Sequence, residues 1–570
     1  MKNVVIEEKF ERPESIRAVL REASIGNGEK IAYKYFDKDN NICEMSYRRV
    51  YALFKAFGES ILNLGLSRTK IALLAENRPE WIITYCACIS SGNVIVPLDK
   101  ELMPSQVESF INYSGAEAII CSDKYISAVK SMDLPGLKYI ISLDGSPEEA
   151  GTDKRIVCFS ELTARADTDD NHFRIIRFDN TKMSALIFTS GTTGTSKGVM
   201  LSEDNLLENI YAASNMICFP PDTVLLSVLP MHHTYETSCG QLTALRLGLT
   251  ICINNSLKYF MKNMALFQPT AMVLVPLFVV TIRKKIQEEI KKRKLDKLVK
   301  AGVKTSRFIG KIGLDTRKLL FSRVRAPLGG KLKDIIVGGA AIDAETIDWF
   351  ADIGINVSQG YGITECAPLV AVNPLVTLDS ASVGMPIPHS KVKIIDTDEN
   401  GNEYELSCGE IGEICVKGKN VMIGYYNSEE ATFNAFTEGG YFKTGDFGYI
   451  NEKGYIFITG RKKNIIVLQN GKNIYPEEIE EYLEKIEEIK ECVVVGRARE
   501  GGEIVLTALI YPDFDKFKGK SEEEIIDCMR ARVAGINKKL PIFKQVRNIE
   551  LKKNEFEKTT TKKIIRYKLS

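Results

Sequence analysis

The chain has 570 residues, 44% hydrophobic and 26% charged, which is more than one hydrophobic core usually serves and is the composition of a globular enzyme rather than a disordered or fibrous chain. Its formal charge of +2 argues against a whole-protein polyanion binder. Thirteen scattered cysteines and only four histidines point to reduced cytosolic thiols and away from a zinc site.

The N-terminal MKNVVIEEKFERPES is mixed in charge and lacks the apolar core of a signal peptide. From Lys30 the pattern alternates. KIAYKYF, KIALLAE, NVIVPLD and AEAIICSD read as strands, with helices at SYRRVYALFKAFGESILNLG, NRPEWIITYCACISSG and PSQVESFINYSG. Strands alternating with helices imply βαβ units and a mostly parallel sheet covered on both faces.

ALIFTSGTTGTSKGVMLS follows at 185–202. An apolar strand turns into Gly, Ser and Thr, closes on Lys197 and Gly198, and resumes apolar. Ser202 with Asp204 and Asn205 reads as the cap of a new helix. Glycines let several backbone N–H groups point at one anion, while Thr189, Ser190, Thr192, Thr193 and Lys197 add donors and charge. Such a loop suits a polyphosphate; a flexible surface hairpin is the lesser reading of its composition. It is not a Walker loop, because Ser196 precedes Lys197 and Gly198 follows it.

VLLSVLPMHHTYE is a strand and a turn carrying His232, His233 and Glu236; adjacent histidines cannot share one strand face, so a two-histidine metal site is not expected. The run 271–282 is too short to span a bilayer and contains Pro276. Residues 283–333 hold 18 Lys and Arg against 4 Asp and Glu. Ile282, Ile286, Ile290 and then Leu295, Leu298 suggest amphipathic helices, read either as a solvated basic face over an apolar stripe or as contact with anionic lipid headgroups. Nucleic acid is not expected, since no aromatics interleave with the charges.

DIIVGGAAID runs a strand into Gly338, Gly339 and Ala340, where a flat ligand can lie against the backbone. INVSQGYGITECAP follows the same plan through Gln359, Gly360, Tyr361 and Gly362. Tyr361 there can stack on a purine, Thr364 can bond a phosphate oxygen and Glu365 can hold a hard cation. From Ser382, short strands broken by Gly, Asp and Asn read as antiparallel β, with Asp446 in TGD and Arg461 ending TGR. A buried aspartate suits a ribose diol or a turn. Beyond Arg461 come a helix opening at Pro476 and strands at ECVVVGR and EIVLTALIYP, then a basic tail, EKTTTKKIIRYKLS.

As whole strings these motifs resemble, in order along most of the chain, those of the adenylate-forming superfamily. The HTYE surroundings and the basic insertion look most like its long-chain fatty acid–CoA ligases. The resemblance implies a large α/β N-terminal domain, 1–461, of layered mostly parallel sheets with a distorted antiparallel β subdomain from about 382. A small mobile α+β C-terminal domain, 462–570, would follow, hinged at Lys463. ATP, Mg2+ and coenzyme A are the implied cofactors and substrates. The loop Thr189, Ser190, Gly191, Thr192, Thr193, Gly194 and Lys197 would hold the β and γ phosphates, and His233 would stand beside the acyl group. Residues 338–340 and 359–362 would form the adenine platform, Thr364 the α-phosphate contact, Glu365 the Mg2+ ligand, and Asp446 with Arg461 the ribose site. Gly471 would line the coenzyme A passage. The catalytic lysine of the tail falls on Lys563, with Lys562 standing where the family has Gly and thus the other candidate. The implied reaction is fatty acid activation to acyl-AMP and then thioester formation with coenzyme A. The alternatives are transfer to an acyl carrier protein, or a nucleotide- or lipid-binding relative without turnover. The expected place is the cytoplasm, with peripheral contact at an anionic inner membrane surface.

Overall fold

The computed structural model describes residues 8–145, 155–164, 173, 176–189, 197–312, 314–375, 378–469, 473–499, 504–558 and 564–569. Ser190, Gly191, Thr192, Thr193 and Gly194 of the loop, Gly471, Lys562 and Lys563 lie outside these residues. The chain forms two compact units. One comprises the residues up to Thr189 with Lys197–Lys391 and Lys417–Asn434; the other includes Val392–Val416 and Ala435–Ser570.

The first unit carries two mostly parallel sheets, where the strand–helix alternation alone implies one. In the nine-stranded sheet Ile31–Phe36, Thr250–Ile253, Val224–Ser227, Ala271–Leu274, Asp334–Val337 and Asn356–Gly362 run parallel. Antiparallel strands close its margins: Ile42–Ser46 at one, Leu369–Val372 and Met385–Pro386 at the other. Ile42–Ser46 escapes the sequence reading because it is an edge strand with exposed polar positions and no apolar run. In the eight-stranded sheet Met183–Thr189, Val94–Pro97, Lys70–Leu74, Ala118–Cys121, Tyr139–Ser142 and Ile156–Cys158 are parallel. Lys197–Ser202 folds back on Met183–Thr189 and takes Gly424–Tyr425 on its outer edge. Ala118–Cys121 is wholly buried, as a strand covered on both faces must be.

Helix Tyr47–Asn63 shows the local logic. The Ser46 hydroxyl caps it by accepting from Arg49 N, and Val50, Leu53, Phe54, Phe57 and Ile61 are buried at helical spacing. Helix Glu203–Ile217 begins where the sequence predicted, with Ser202 and Asn205 forming a reciprocal cap. It touches strands of both sheets and is buried nearly all round, so its polar side chains must find partners. Asn205 Nδ2 donates to Lys419 O (2.7 Å) and Val421 O (2.9 Å). Asn209 Nδ2 donates to Cys366 O (2.9 Å), and Asn209 Oδ1 accepts from Leu369 N (2.6 Å).

Residues 283–333 depart from expectation at one point. Helices Pro276–Lys292 and Asp296–Gly310 form, and Ile282, Ile286 and Ile290 are buried as their phase requires. Leu298 is 69% exposed instead of joining the buried stripe. Gly302 and Ser306 face inward in its place, Gly302 against the Phe321 ring. Among the described residues no helix is long and apolar enough to cross a membrane.

The second unit contains the predicted antiparallel sheet, Glu403–Glu405, Lys391–Thr397, Gly412–Lys417, Phe442–Ile450 and Ile456–Arg461. Met385–Pro386, expected within it, belongs to the nine-stranded sheet instead. A three-stranded sheet of Ile489–Ala498, Ile504–Pro512 and Asn548–Leu551 packs with helices Pro476–Leu483 and Glu522–Asn537 around Ile479, Leu483, Val494, Leu506, Ile510 and Met529. Lys558 and Ile564, which flank 559–563, form an antiparallel bridge. Ile564 packs on Val493, Leu509 and Phe556, and Arg566 is ion-paired with buried Glu480.

Asn209→Ala would orphan Leu369 N and Cys366 O. It is expected to lower unfolding free energy by about 2–4 kcal/mol, read from urea midpoints.

Candidate functional site

Val337 and Gln359 are register partners on adjacent parallel strands, so residues 338–340 leave the sheet at its carboxyl edge beside 360–362, which stay in the strand and pair with Leu369–Val372. Ligands of open parallel sheets bind at that edge. The glycines are needed sterically. A Cβ on Gly338 would lie 2.9 Å from the Tyr235 ring, and one on Gly362 would lie 2.2 Å from Pro368 O. Tyr235 is fixed in turn by donating its hydroxyl to Ile336 O at 3.1 Å. Gln359 and Tyr361 are buried, Tyr361 within the strand rather than in a turn, while Gly339 and Ala340 are exposed.

Thr364 and Glu365 open a short 3₁₀ turn directly beyond that strand. Glu365 O accepts from Met422 N at 2.8 Å, and its carboxylate Oε1 accepts from the Tyr425 hydroxyl at 3.0 Å. Tyr425 pairs in register with Val199 on the hairpin strand that begins at Lys197. The Lys197 ammonium lies 4.5 Å from the centroid of the Tyr425 ring. Thr189 and Lys197 are the last register pair of that hairpin, so Lys197 stands at the mouth of 190–196. Burial, and then Glu365, push the Tyr425 phenol well above its ordinary range, which keeps it a hydrogen-bond donor. Lys197 and Glu365 are thus brought together through a residue that sequence reading missed. Its only local signal was the aromatic pair after Gly424; nothing local says which strand it joins.

His232 and His233 lie in the turn expected after the strand, with ring centroids 4.1 Å apart. The rule that adjacent residues face opposite sides of a strand does not govern them, because the strand ends at Ser227. Asn77 holds the turn, donating to Leu229 O at 2.6 Å and accepting from Met231 N at 3.0 Å. His232 Nε2 is 3.5 Å from Asp99 Oδ2, but burial outweighs that carboxylate and lowers the histidine's pKa. Among the described residues no three His, Cys, Asp or Glu side chains gather as a metal cluster.

Glu236 follows in the π-helix Tyr235–Leu242 and is fully buried. Its Oε1 accepts from Ser227 Oγ at 2.6 Å and from Gln241 Nε2 at 2.7 Å, while Gln241 Oε1 accepts from Tyr33 at 3.1 Å. Burial raises its pKa from 4.5 to about 7, against the two hydrogen bonds that lower it.

In the second unit Asp446 and Arg461 are register partners across a hairpin. Arg461 Nε lies 2.8 Å from Asp446 Oδ1, with Asp446 buried and Arg461 partly exposed. Asp446 sits inside the strand, not in a turn before it. Buried Glu413 accepts from Gly445 N at 3.1 Å and pairs with Lys462 at 2.6 Å. Asn464 donates to Glu477 at 2.6 Å. Exposed Lys463 is therefore flanked by two anchored residues.

Residues 20–426 match the family described as AMP-binding enzyme, and residues 463–570 match the AMP-binding enzyme C-terminal domain. The chain is 28% identical over 468 residues to long chain acyl-CoA synthetase 7, peroxisomal, of Arabidopsis thaliana, covering 79% of this chain and 66% of that protein. It is 28% identical over 487 residues to long-chain-fatty-acid–CoA ligase FadD15 of Mycobacterium bovis, covering 82% and 76% respectively. Its fold is like that of ATP-bound MatB from Rhodopseudomonas palustris, with a TM-score of 0.76 at 24% identity over 97% and 98% of the two chains.

Because folded Glu236 holds its proton to higher pH than the unfolded chain does, its contribution to stability is complete below 4.5 and is lost as pH rises to about 7. A decline of roughly 3 kcal/mol is expected across that window. Glu236→Gln should abolish the slope in urea midpoints measured against pH.

Proposed function

The chain belongs to the AMP-binding enzyme family, and we propose that it joins a long-chain fatty acid to coenzyme A in two steps driven by ATP. The observation that carries this reading is the Lys197, Tyr425 and Glu365 array at the mouth of 190–196, one cation and one carboxylate held apart by a phenol. The acid substrate and the acceptor follow from the curated relatives, named for fatty acid–CoA ligation.

A carboxylate cannot acylate a thiol directly, because an oxide is a poor leaving group. In the first step a carboxylate oxygen attacks the α-phosphorus of ATP and pyrophosphate departs, leaving acyl-AMP. In the second, the coenzyme A sulfur attacks the acyl carbon, AMP leaves, and the thiol proton passes to solvent. Both steps need fixed charge and alignment more than an acid–base pair. Lys197 and the hydroxyls and N–H groups of the loop serve the β and γ phosphates. Residues 338–340 and 359–362 serve the adenine, Thr364 the α-phosphate, and Asp446, oriented by Arg461, the ribose. His233 stands beside the acyl group. Mg2+ prefers one or two carboxylates plus phosphate oxygens. Glu365, with one oxygen on a neutral phenol and no ion pair to a lysine or arginine among the described residues, suits it. Such an ion neutralises phosphate charge. We assign the adenylating lysine to Lys563, the hinge to Lys463 between domains 1–461 and 462–570, and the coenzyme A passage to Gly471. A water-insoluble acid also suits peripheral contact with an anionic membrane.

Pyrophosphate release from ATP with fatty acid alone separates an enzyme from a binding relative, and thioester formation with coenzyme A against an acyl carrier protein separates the acceptors. Lys197→Ala with Thr193→Ala should cut pyrophosphate release by about 10²-fold or more with folding unchanged, the scale of losing a charge-stabilising donor. Tyr425→Phe, which keeps the ring and loses the donor, should raise the Mg2+ concentration for half-maximal rate while leaving thermal stability within about 1 kcal/mol.

Lys563→Ala should abolish acyl-AMP formation but spare thioester formation from supplied adenylate. Lys463→Pro should do the reverse by fixing φ at the hinge. If Lys562→Ala shows the first pattern instead, the lysine is one residue earlier. Equal loss of both half-reactions in every variant would reject the two-position scheme.

A further inference from the structure

Helix Asp296–Gly310 is apolar on a side where a solvated helix is polar. Leu298, Phe308 and, just past the helix, Ile312 are 69%, 72% and 71% exposed. Spacings of ten and four residues place them on one stripe at 3.6 residues per turn. Lys297, Lys304 and Lys311, all exposed, recur every seven residues as an adjoining row. The flank next to Leu298, four and eight residues on, is packed, with Gly302 against Phe321 and Ser306 buried. Leu319, 79% exposed, follows on the next short helix, Arg317–Leu320, which touches this one.

Four of the six arginines in 283–333 are engaged with acids: Arg283 with Asp343, Arg293 with Glu289, Arg307 with Asp352 and Arg317 with Asp315, while buried Arg325 donates to the backbone carbonyls of Gly354 and Leu332. The three lysines of the row have no acid within ion-pair distance among the described residues. The lysine row is thus unengaged charge, and it borders the exposed apolar stripe.

We propose that this helix lies in the surface of an anionic membrane, with Leu298, Phe308 and Ile312 below the headgroups and Lys297, Lys304 and Lys311 on their phosphates. An interfacial helix presents this pairing of apolar stripe and lysine row, and lysine stems can reach up from it to the phosphates. A nucleic acid would leave Leu298 and Ile312 without partners and offers Phe308 alone for stacking. The proposal deepens the fatty acid reading above, since the acid resides in such a membrane, but the surface stands on its own residues.

The test is flotation of the full chain with vesicles of phosphatidylcholine, alone or with phosphatidylglycerol, at low and high salt. The parent is expected to float with the mixed vesicles. Lys297→Gln, Lys304→Gln and Lys311→Gln together should weaken partitioning by about a hundredfold, roughly fivefold per charge. Phe308→Ser with Ile312→Ser should weaken it and make the remainder fully salt-sensitive, because insertion is the part salt does not screen. Phe308→Trp should add an indole emission that moves to the blue with mixed vesicles, beyond any change in the parent. Absence of binding in the parent, no such blue shift in the Phe308→Trp variant, or apolar variants that bind like the parent would overturn the proposal. So would tighter, lysine-dependent binding to single-stranded RNA than to the mixed vesicles. Pyrophosphate release with ATP and a short, water-soluble acid is measured alongside. Its absence in the parent would count against the enzymatic reading alone, and its loss in these variants with flotation unchanged would overturn the surface assignment.

Discussion

Two buried asparagines fix where the site's parts sit. A primary amide taken out of water costs several kcal/mol unless its donors and acceptor are met. Helix Glu203–Ile217 meets that demand with backbone from two distant segments: Asn205 with Lys419 and Val421, Asn209 with Cys366 and Leu369. Asn420 ties the segments to each other through Leu369 O at 2.8 Å. Glu365 is one residue from the first anchored segment and Tyr425 is four residues from the second. Both reach the mouth of the loop because the helix that follows the loop's own hairpin holds their flanks.

The sheet supplies the rest of the placement. Parallel strands present all their carboxyl ends on one edge, so 338–340, the strand end 360–362 and the histidine turn after Val224–Ser227 gather there without any contact between them having to be specified. Sequence periodicity is enough to reveal that edge, since it reports strands, helices and their alternation. It also revealed the cap at Ser202, because a cap is local chemistry: a hydroxyl and an amide three residues apart.

What escaped the sequence was pairing at a distance and the choice of inner face. Tyr425 matters through a strand of two residues whose partner is the hairpin beginning at Lys197. Asp446 and Arg461 were legible as separate motifs but not as one ion pair across a hairpin. The turn carrying the histidines was legible, but the contact of their rings was not, because the strand stops at Ser227 and a rule about strand faces says nothing of a turn. Leu298 was misassigned for a related reason. The apolar phase of Ile282, Ile286 and Ile290 ends with its helix, and the next helix turns its small residues, not its leucine, toward the protein. An apolar period shows that a stripe exists, not which side of it is covered.

The phenol between Lys197 and Glu365 resolves a conflict that the loop's chemistry creates. A polyphosphate site wants a lysine, and its cation wants a carboxylate. At short range these two would neutralise one another, and each ligand would then have to break an ion pair to bind. Tyr425 offers each charge a weaker contact. The ring face attracts the ammonium by about 0.5–2 kcal/mol, and the hydroxyl gives one hydrogen bond to the carboxylate. Both groups are oriented, and neither is consumed by a direct ion pair with the other. The raised phenol pKa is part of the same device, because an ionised Tyr425 would repel Glu365 and bind Lys197 too strongly to release it.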